Sequence, residues 1–313
     1  MRSTPTGEVF VRIVTTVAEL QRLSDAERAA GRRVALVPTM GALHTGHLSL
    51  VTQARRRADR VWLSIFVNPT QFDDARDHAA YPRTFEADLE LCREAGVDVL
   101  FAPPAAEMAP ADAQTWVEVA ELSKPLCGRS RPGHFRGVAT IVAKLLLAAK
   151  PHLAIFGEKD FQQLSVIRRL ASELCFDVEI VGAPIVREAD GLAMSSRNTR
   201  LDPEARRQAS VLSQALDEAE RAVASGERSG ARLLALAVTT IEKAPRAVID
   251  YVELRDPDSL EPAPAVLEAP SLLALAVRFA PASGREGAAV RLIDNRVLRP
   301  QLPQEDPQCS EPC

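Results

Sequence analysis

Two histidines spaced three residues apart, His44 and His47, are well suited to handling a phosphate group. They lie between an apolar run at residues 34–37, typical of a buried parallel strand, and a predicted helix that begins near Gly46. Imidazole donates to phosphoryl oxygens in either charge state and can exchange protons near neutral pH. The helix N-terminus adds unpaired N–H groups and a partial positive charge, and a glycine there lets a ligand approach the backbone. The stretch therefore predicts a triphosphate site.

The pattern H-x-G-H has a simpler interpretation that depends on its surroundings. Anywhere in a sequence, it is more often a pair of surface histidines in a loop. Here Pro38 and Gly41 break the extended pattern after the strand, and apolar positions at Leu48 and Val51 indicate the helix that follows. This strand–turn–helix context favours a binding site.

A second polar turn follows the apolar run at residues 60–67 and contains Asn68 and Gln71. Both amides carry donors and acceptors, so they can recognise a carboxylate that also bears hydroxyl groups. As an isolated pentapeptide, the same turn is about as well explained by helix capping.

A third polar turn, at residues 157–160, follows the apolar run at residues 152–156. Lys159 supplies a point charge that can stabilise a phosphoryl group in its transition state. Asp160 can accept hydrogen bonds from ribose hydroxyls, and the backbone at Gly157 can lie against a nucleotide. A tetrapeptide of this kind is usually a surface turn with a salt bridge. Its position at the end of a buried strand favours a site.

Two basic segments complete the candidate site. Arg129, Arg131 and Arg136 surround a glycine in a loop that could close over an anion, although a solvated basic loop is the plainer alternative. Residues 194–197, Met-Ser-Ser-Arg, offer two hydroxyls and a guanidinium for terminal phosphates. This second segment could equally be a linker between domains.

Strand-like and helix-like runs alternate over about the first 180 residues, which predicts an α/β domain with a doubly wound, Rossmann-like parallel sheet. In such sheets ligands bind beyond the carboxyl ends of the strands, where all three polar turns fall. Two helical stretches and three strand-like runs follow, which predicts a smaller α+β domain. We therefore expect a nucleotide-binding domain at residues 1–183, a lid-like domain at 184–299 and a disordered tail at 300–313.

Composition narrows the class of protein. Hydrophobic residues make up 46% and charged residues 26% of the sequence, and the net charge is −4, which argues against nucleic-acid binding as the main purpose. No run approaches the ~20 apolar residues of a membrane span. The five cysteines are scattered without a C-x-x-C pair, so we expect reduced thiols in the cytoplasm rather than a zinc site.

The segment at residues 38–47 closely resembles the nucleotide-binding signature of the pantoate–β-alanine ligase (pantothenate synthetase) family, in the adenylate-forming nucleotidyltransferase superfamily. Further motifs at residues 68–72, 81–88, 157–160, 184–201, 250–257 and 291–295 extend the resemblance from about residue 13 to 295. The N-terminal extension, an apparent insertion at residues 281–288 and the tail depart from the family pattern. All three lie outside the motifs.

The resemblance implies roles for individual residues. It implies His47, His44 and Lys159 as catalytic residues, and Asp88 as a supporting residue. It implies pantoate and β-alanine sites at Gln71, Gln163, Asn68 and Arg131. The ATP site that it implies consists of Met40, Gly41, Ala42, Leu43, His44, Thr45, Gly46, His47, Gly157, Glu158, Lys159, Asp160, Val186, Met194, Ser195, Ser196 and Arg197.

The function implied is the ATP-dependent condensation of pantoate with β-alanine through a pantoyl adenylate. Mg²⁺ is expected to be held mainly by the ATP phosphates, with no metal site on the protein itself. The expected partners are these small substrates and a second copy in a homodimer, with no nucleic acid or membrane. Two alternatives stay open: another nucleotidyltransferase that retains a nucleotidyl product, and a non-catalytic nucleotide sensor.

Overall fold

The computed structural model of this chain describes residues 10–73, 75–281 and 289–301. The chain divides into two compact units between Arg200 and Leu201, later than the boundary predicted near residue 184. The intervening segment is tied to the first unit, because Arg197 and Arg200 both form ion pairs with Asp77. Most of the apparent insertion at residues 281–288, most of the tail and the first nine residues lie outside the described residues.

The first unit is an α/β sandwich, which confirms the predicted fold class. Its strands are β1 (Arg12–Val14), β2 (Val34–Thr39), β3 (Arg60–Ile65), β4 (Val99–Phe101), β5 (Leu153–Gly157) and β6 (Glu179–Ala183). Its helices are α1 (Val17–Ala29), α2 (Thr45–Arg55), α3 (Ala75–Ala79), α4 (Phe85–Ala95), α5 (Ala105–Met108), α6 (Cys127–Ser130), α7 (His134–Ala149) and α8 (Phe161–Glu173). Short 3-10 helices span Pro69–Gln71, Glu158–Asp160 and Ser196–Arg200.

The sheet is entirely parallel, in the order β1-β4-β3-β2-β5-β6. Residues 34–37 of β2 are fully buried, as the apolar run predicted. Helices α2 and α4 pack on one face, where Leu50, Val51 and Leu89 join the strand side chains in one core cluster. Helix α7 packs against both α1 and α8.

The chain changes direction across the sheet between β2 and β5. From β2 the chain crosses through α2 to β3 on one side, and from β5 it crosses through α8 to β6 on the other side. Two right-handed crossovers that run in opposite directions leave their helices on opposite faces. A crevice must therefore open beyond the carboxyl ends of β2 and β5, where open α/β sheets bind their ligands.

One local prediction for the first unit was wrong. The basic segment at residues 128–136 is not a loop throughout, because α6 spans Cys127–Ser130 and α7 already begins at His134. Gly133, with φ of +80°, makes the turn that precedes α7.

The second unit is a three-stranded antiparallel sheet with helices, which matches the predicted α+β class. Its elements are α9 (Pro203–Ala209), α10 (Val211–Ala224), α11 (Gly230–Glu242), β7 (Ala247–Arg255), β8 (Ser271–Phe279) and β9 (Val290–Leu298). Ser210 separates the two consecutive helices α9 and α10. Among the described residues of the chain, no helix has the length and apolarity needed to cross a membrane.

Gly137 lets α7 lie directly against the turn that carries Asn68 and Gln71. A β-carbon on Gly137 would stand 2.3 Å from the carbonyl oxygen of Thr70, which is a backbone atom and cannot rotate away. The carbonyl of Gly137 also accepts a hydrogen bond from Asn68 Nδ2 at 3.1 Å. The close approach of backbone to backbone therefore sets the position of the Asn68–Gln71 turn.

We predict that Gly137→Ala destabilises the protein. Displacing the turn should cost about 1–3 kcal/mol of unfolding free energy, which exceeds the gain of about 1 kcal/mol at most from better helix propensity. Gly157→Ala is the matched control, since no described atom lies within 4 Å of the β-carbon it would add. Urea unfolding of both variants measures the difference. Equal midpoints for the two variants would contradict this account of the packing.

Candidate active site

A cavity of about 230 Å³ in the first unit gathers the polar turns that the sequence singled out. It lies beyond the carboxyl ends of β2 and β5, at the crevice that the strand order creates. The predicted site residues that line it are Met40, His44, Gly46, His47, Asn68, Gln71, Arg131, Gly157, Lys159, Asp160, Gln163, Val186, Met194, Ser195, Ser196 and Arg197. Side chains from four separate strand ends thus face one space.

The two histidines are held in a fixed orientation at the start of α2. His44 is the N-cap, and its Nδ1 accepts from the N–H of Gly46 at 3.1 Å. The Nδ1 of His47 accepts from the backbone N–H of His44 at 3.3 Å, and the two ring centroids are 4.0 Å apart. When both rings are neutral, each therefore carries its proton on Nε2. Both rings can then act as donors without gaining a positive charge.

Gly46 is required at this position by the ring of His44. A β-carbon on Gly46 would lie 2.8 Å from Cε1 and 2.9 Å from Nδ1 of that ring. The N–H of Gly46 already donates to His44, so it does not wait unpaired for a phosphate as the sequence suggested. The imidazole Nε2–H groups take over as donors at this helix terminus.

Burial keeps the histidines of the cavity neutral. Desolvation, with smaller contributions from His44 and Lys159, lowers the pKa of His47 to about 3. Desolvation and then the charge of Lys159 also lower the pKa of His44 below its ordinary value. Buried in this way, His47 does not exchange protons near neutral pH, contrary to one role that the sequence suggested for it. It is a neutral hydrogen-bond donor.

Asp88 shapes the turn between β2 and α2. Its carboxylate accepts from the N–H of Ala42 at 2.9 Å and from the N–H of Leu43 at 2.8 Å, and also from the hydroxyl of Thr84. Gly41 and Ala42 have positive φ angles, +82° and +50°, so this turn needs such support. Asp88 itself lies outside the cavity lining.

Several predicted ATP-site residues do not line the cavity. These are Gly41, Ala42, Leu43, Thr45 and Glu158. The N–H groups of Ala42 and Leu43 are directed to Asp88, and Thr45 is exposed on the first turn of α2. In this structure they form the scaffold around the cavity rather than its surface.

The amide of Gln71 is oriented by its neighbours. Its Oε1 accepts from Asn68 Nδ2 at 2.9 Å, so its NH₂ group faces the cavity, where it lies 2.9 Å from Met40 Sδ. The backbone carbonyl of Gln71 accepts from Arg131 at 3.1 Å and lies 2.7 Å from His134 Nδ1. Because a thioether is a weak acceptor, an incoming oxygen can replace Met40 as the partner of this amide.

Lys159 and Asp160 form an ion pair on the cavity wall, with 3.4 Å between Nζ and Oδ2. Burial by itself would raise the pKa of Asp160, but the charge and hydrogen bond of Lys159, with smaller contributions from Arg197 and His134, lower that pKa below its ordinary value. Asp160 is therefore an anion at neutral pH and can act only as an acceptor. Gly157 beside it leaves open space where a side chain would stand.

One wall of the cavity was not predicted from the sequence. Val138, Ile141, Val142 and Leu145 of α7 form an apolar surface there. The additional lining residues are Pro38, Thr39, Leu50, Phe66, Tyr81, His134, Phe156, Pro184 and Ile185. Tyr81 lies in the family motif at residues 81–88, and His134 lies in the basic segment at residues 128–136. Those two segments were the sequence signal that could have identified them. Apolar periodicity in α7 indicated burial, but it could not distinguish core from cavity wall.

The residues that could hold a metal ion are few. Across the described ranges, no group of three or more His, Cys, Asp or Glu side chains is arranged to bind one. Asp160 supplies one carboxylate to the cavity. This donor set fits a hard cation that arrives with most of its ligands already supplied by a phosphate chain and water.

We predict that acid destabilises the fold through the neutral buried histidines. Burial lowers the pKa of His134 to about 4, and that of His47 is about 3, whereas an unfolded histidine titrates near 6.5. Between about pH 6.5 and pH 4 the unfolded chain binds protons that the folded chain does not, so stability falls as the pH falls. His134→Asn should flatten the profile of unfolding free energy against pH. An unchanged slope would show that His134 is not the source.

Comparison with known proteins agrees over nearly the whole chain. The sequence model of the family described as pantoate-beta-alanine ligase matches residues 12–297. A pantothenate synthetase of Geobacter sulfurreducens is 51% identical over 288 residues, covering 92% of this chain and 99% of that protein. The crystal structure of pantothenate synthetase from Thermus thermophilus is 45% identical, with a TM-score of 0.84 over 93% of this chain and all of that one.

A more distant structure carries ligands. The pantoate–β-alanine ligase from Francisella tularensis, solved in complex with beta-gamma ATP and β-alanine, is 30% identical, with a TM-score of 0.74 over 92% of this chain and 98% of that one. The family match spans far more than half of the sequence, and the cavity is lined by residues from the motifs at 38–47, 68–72, 157–160 and 184–201. This chain belongs to the pantoate–β-alanine ligase family.

Proposed function

We propose that the cavity of the first unit binds ATP and pantoate together and forms pantoyl adenylate, which β-alanine then converts to pantothenate. The protein is a ligase of this family, and ATP is one of its substrates. The observation that carries the site assignment is that His47, Lys159 and Ser195, which are distant in sequence, line a single cavity at the switch point of the sheet.

The first step places the carboxylate of pantoate against the α-phosphorus of ATP. A carboxylate oxygen forms the new bond, the bond from the α-phosphorus to the bridging oxygen breaks, and pyrophosphate leaves with that electron pair. Lys159 and the Nε2–H groups of His44 and His47 stabilise the charge that builds on the phosphoryl oxygens. The histidines do so as neutral donors, consistent with their buried, low-pKa state.

Residues of the loop after β6 receive the departing group. The hydroxyls of Ser195 and Ser196 and the guanidinium of Arg197 line the cavity and offer donors for the β and γ phosphates. Mg²⁺, held mainly by phosphates and water, would neutralise further charge on those phosphates. Arg197 makes charge-assisted bonds there, which favour pyrophosphate as a leaving group.

Adenosine is bound by the turns after β5 and β6. Asp160 accepts from ribose hydroxyls, and the open space beside Gly157 lets the nucleotide approach the backbone. The backbone of Val186 contacts adenine. Its carbonyl accepts from the N–H of Met194 at 2.9 Å, which holds the two arms of this loop together.

Pantoate is bound by amides on one side and by an apolar wall on the other. Gln71 donates its NH₂ group to pantoate oxygens in place of Met40, and Gln163 contacts the substrate from α8. Arg131 adds a positive charge near the acid. The apolar face of α7 suits the methyl groups between the two hydroxyls of pantoate.

The second step needs no group from the protein to form a covalent bond. The amine of β-alanine attacks the activated acyl carbon, the bond from that carbon to the phosphate oxygen breaks, AMP leaves with the electron pair, and the nitrogen releases one proton to water. Positioning and charge stabilisation therefore account for catalysis. The homodimer, the cytoplasmic location and the lid role of the second unit stay predictions.

The reaction is tested by mixing the protein with ATP, Mg²⁺ and pantoate, with and without β-alanine. We expect pantoate-dependent exchange of pyrophosphate into ATP without β-alanine, and stoichiometric AMP and pantothenate with it. A retained nucleotidyl product would favour another nucleotidyltransferase. ATP binding without any turnover would favour a sensor.

We predict that His47→Ala lowers the rate of pantoate-dependent ATP–pyrophosphate exchange by on the order of 10²–10³, because one preorganised donor to the phosphates is lost. The control is His152→Gln, since His152 lies at the opposite end of the sheet, where its Nδ1 accepts from the N–H of Val34. Thermal unfolding verifies that both variants are folded. Exchange at the wild-type rate in His47→Ala would refute the role of His47.

A further inference from the structure

Arg197, which faces the cavity, has a carboxylate partner from the protein itself. Its Nη2 lies 3.3 Å from Oδ2 of Asp77, on the short helix α3. The other oxygen of the same carboxylate accepts from Nη1 of Arg200 at 2.8 Å. Each oxygen of Asp77 thus serves one guanidinium, so a single acid joins two arginines of the loop after β6.

The three side chains are partly shielded from water, with 26–28% of each exposed. Such pairs are screened less than fully exposed ones. The carboxyl of Asp77 is strongly held as an anion: burial alone would raise its pKa, but the hydrogen bonds and charges of Arg200 and Arg197 lower it. The group is a full negative charge beside a cavity built for phosphates.

Arg197 lines the cavity, whereas Asp77 and Arg200 lie outside its lining. A carboxylate and a phosphate attract the same guanidinium, so the two compete for Arg197. When Arg197 exchanges Asp77 for a phosphate, Arg200 can still neutralise the charge of Asp77. This lowers the free-energy cost of the exchange.

A second contact ties the same two segments together. The hydroxyl of Tyr81, just after α3, hydrogen-bonds to the side chain of Ser196 next to Arg197. Tyr81 and Ser196 both line the cavity. The segment at residues 77–81 therefore lies along the loop that carries the phosphate donors, and Asp77 is held within reach of Arg197.

We propose that Asp77 is a positioning residue that binds Arg197 when the phosphate site is empty, releases it to the β and γ phosphates when ATP enters, and recovers it as pyrophosphate leaves. Arg200 remains on Asp77 throughout. The inference rests on the function proposed above. Its consequence is that Asp77 weakens the affinity for ATP and pyrophosphate and thereby speeds product release.

The test is a double-mutant cycle in which calorimetry measures the dissociation constants of pyrophosphate and of ATP with Mg²⁺. Asp77→Asn should bind pyrophosphate about three- to ten-fold more tightly than wild type, because it removes the competitor while keeping the side-chain shape. The same change in an Arg197→Gln background should have almost no effect, because the competed group is gone. Glu90→Gln, on an exposed i,i+3 pair with Arg93, controls for the loss of one negative charge.

Arg200→Gln provides a second variant in case Asp77→Asn is poorly folded by thermal unfolding. Asp77 then holds Arg197 alone, so pyrophosphate affinity should fall by more than in Arg169→Gln, an exposed arginine paired with Glu173. Equal or weaker binding by folded Asp77→Asn, or a gain that persists in the Arg197→Gln background, would overturn the inference alone. Wild-type protein that binds neither ATP nor pyrophosphate would overturn the proposed function as well.

Discussion

The parallel pairing of β2 with β5 is the constraint on which the site depends. These strands are neighbours, but the chain leaves them in opposite directions across the sheet. Their connecting segments must therefore separate, and the space between them cannot be filled by either crossover helix. His47 and Lys159 reach the same cavity because each follows one of these two strands. The geometry of the cavity is thus a consequence of strand order.

Residues that do not face the cavity brace the segments around it. Asp88 fixes the turn before α2, and Gln162 anchors the segment before α6 through the N–H of Cys127 and the carbonyls of Leu122 and Pro125. Gln163, the next residue along α8, faces the cavity instead. A group whose orientation is set before the substrate arrives loses less conformational freedom on binding. The proposed reaction uses no protein nucleophile, so positioning by such hydrogen bonds would be the main contribution of the protein.

Electrostatics divides the cavity into neutral donors and paired charges. The histidines are neutral because burial penalises their protonated forms and Lys159 adds like charge. The cations near the cavity have acidic neighbours: Lys159 pairs with Asp160, Arg131 with Asp73 and Arg197 with Asp77. If a site for a polyanion contained only unpaired cations, those cations would repel one another and the site would release pyrophosphate slowly. Pairing each cation with a carboxylate weakens the repulsion between the cations and makes release of pyrophosphate faster.

The sequence by itself determined the α/β alternation, the buried strands and the polar turns, because these depend on local periodicity and on residue type. It also indicated which residues line the cavity. The turns that carry His44, Gln71 and Lys159 follow apolar runs, and Ser195 lies within a family motif. Only the tertiary structure decided which nitrogen of each imidazole bears the proton, that Asp88 occupies the N–H groups of residues 42 and 43, and that α7 forms the apolar wall. It also decided that Asp77 binds Arg197. These features depend on contacts between segments that are distant in the chain. Burial and the competition between hydrogen-bonding partners, rather than the local sequence pattern, determine which contact has the lowest free energy.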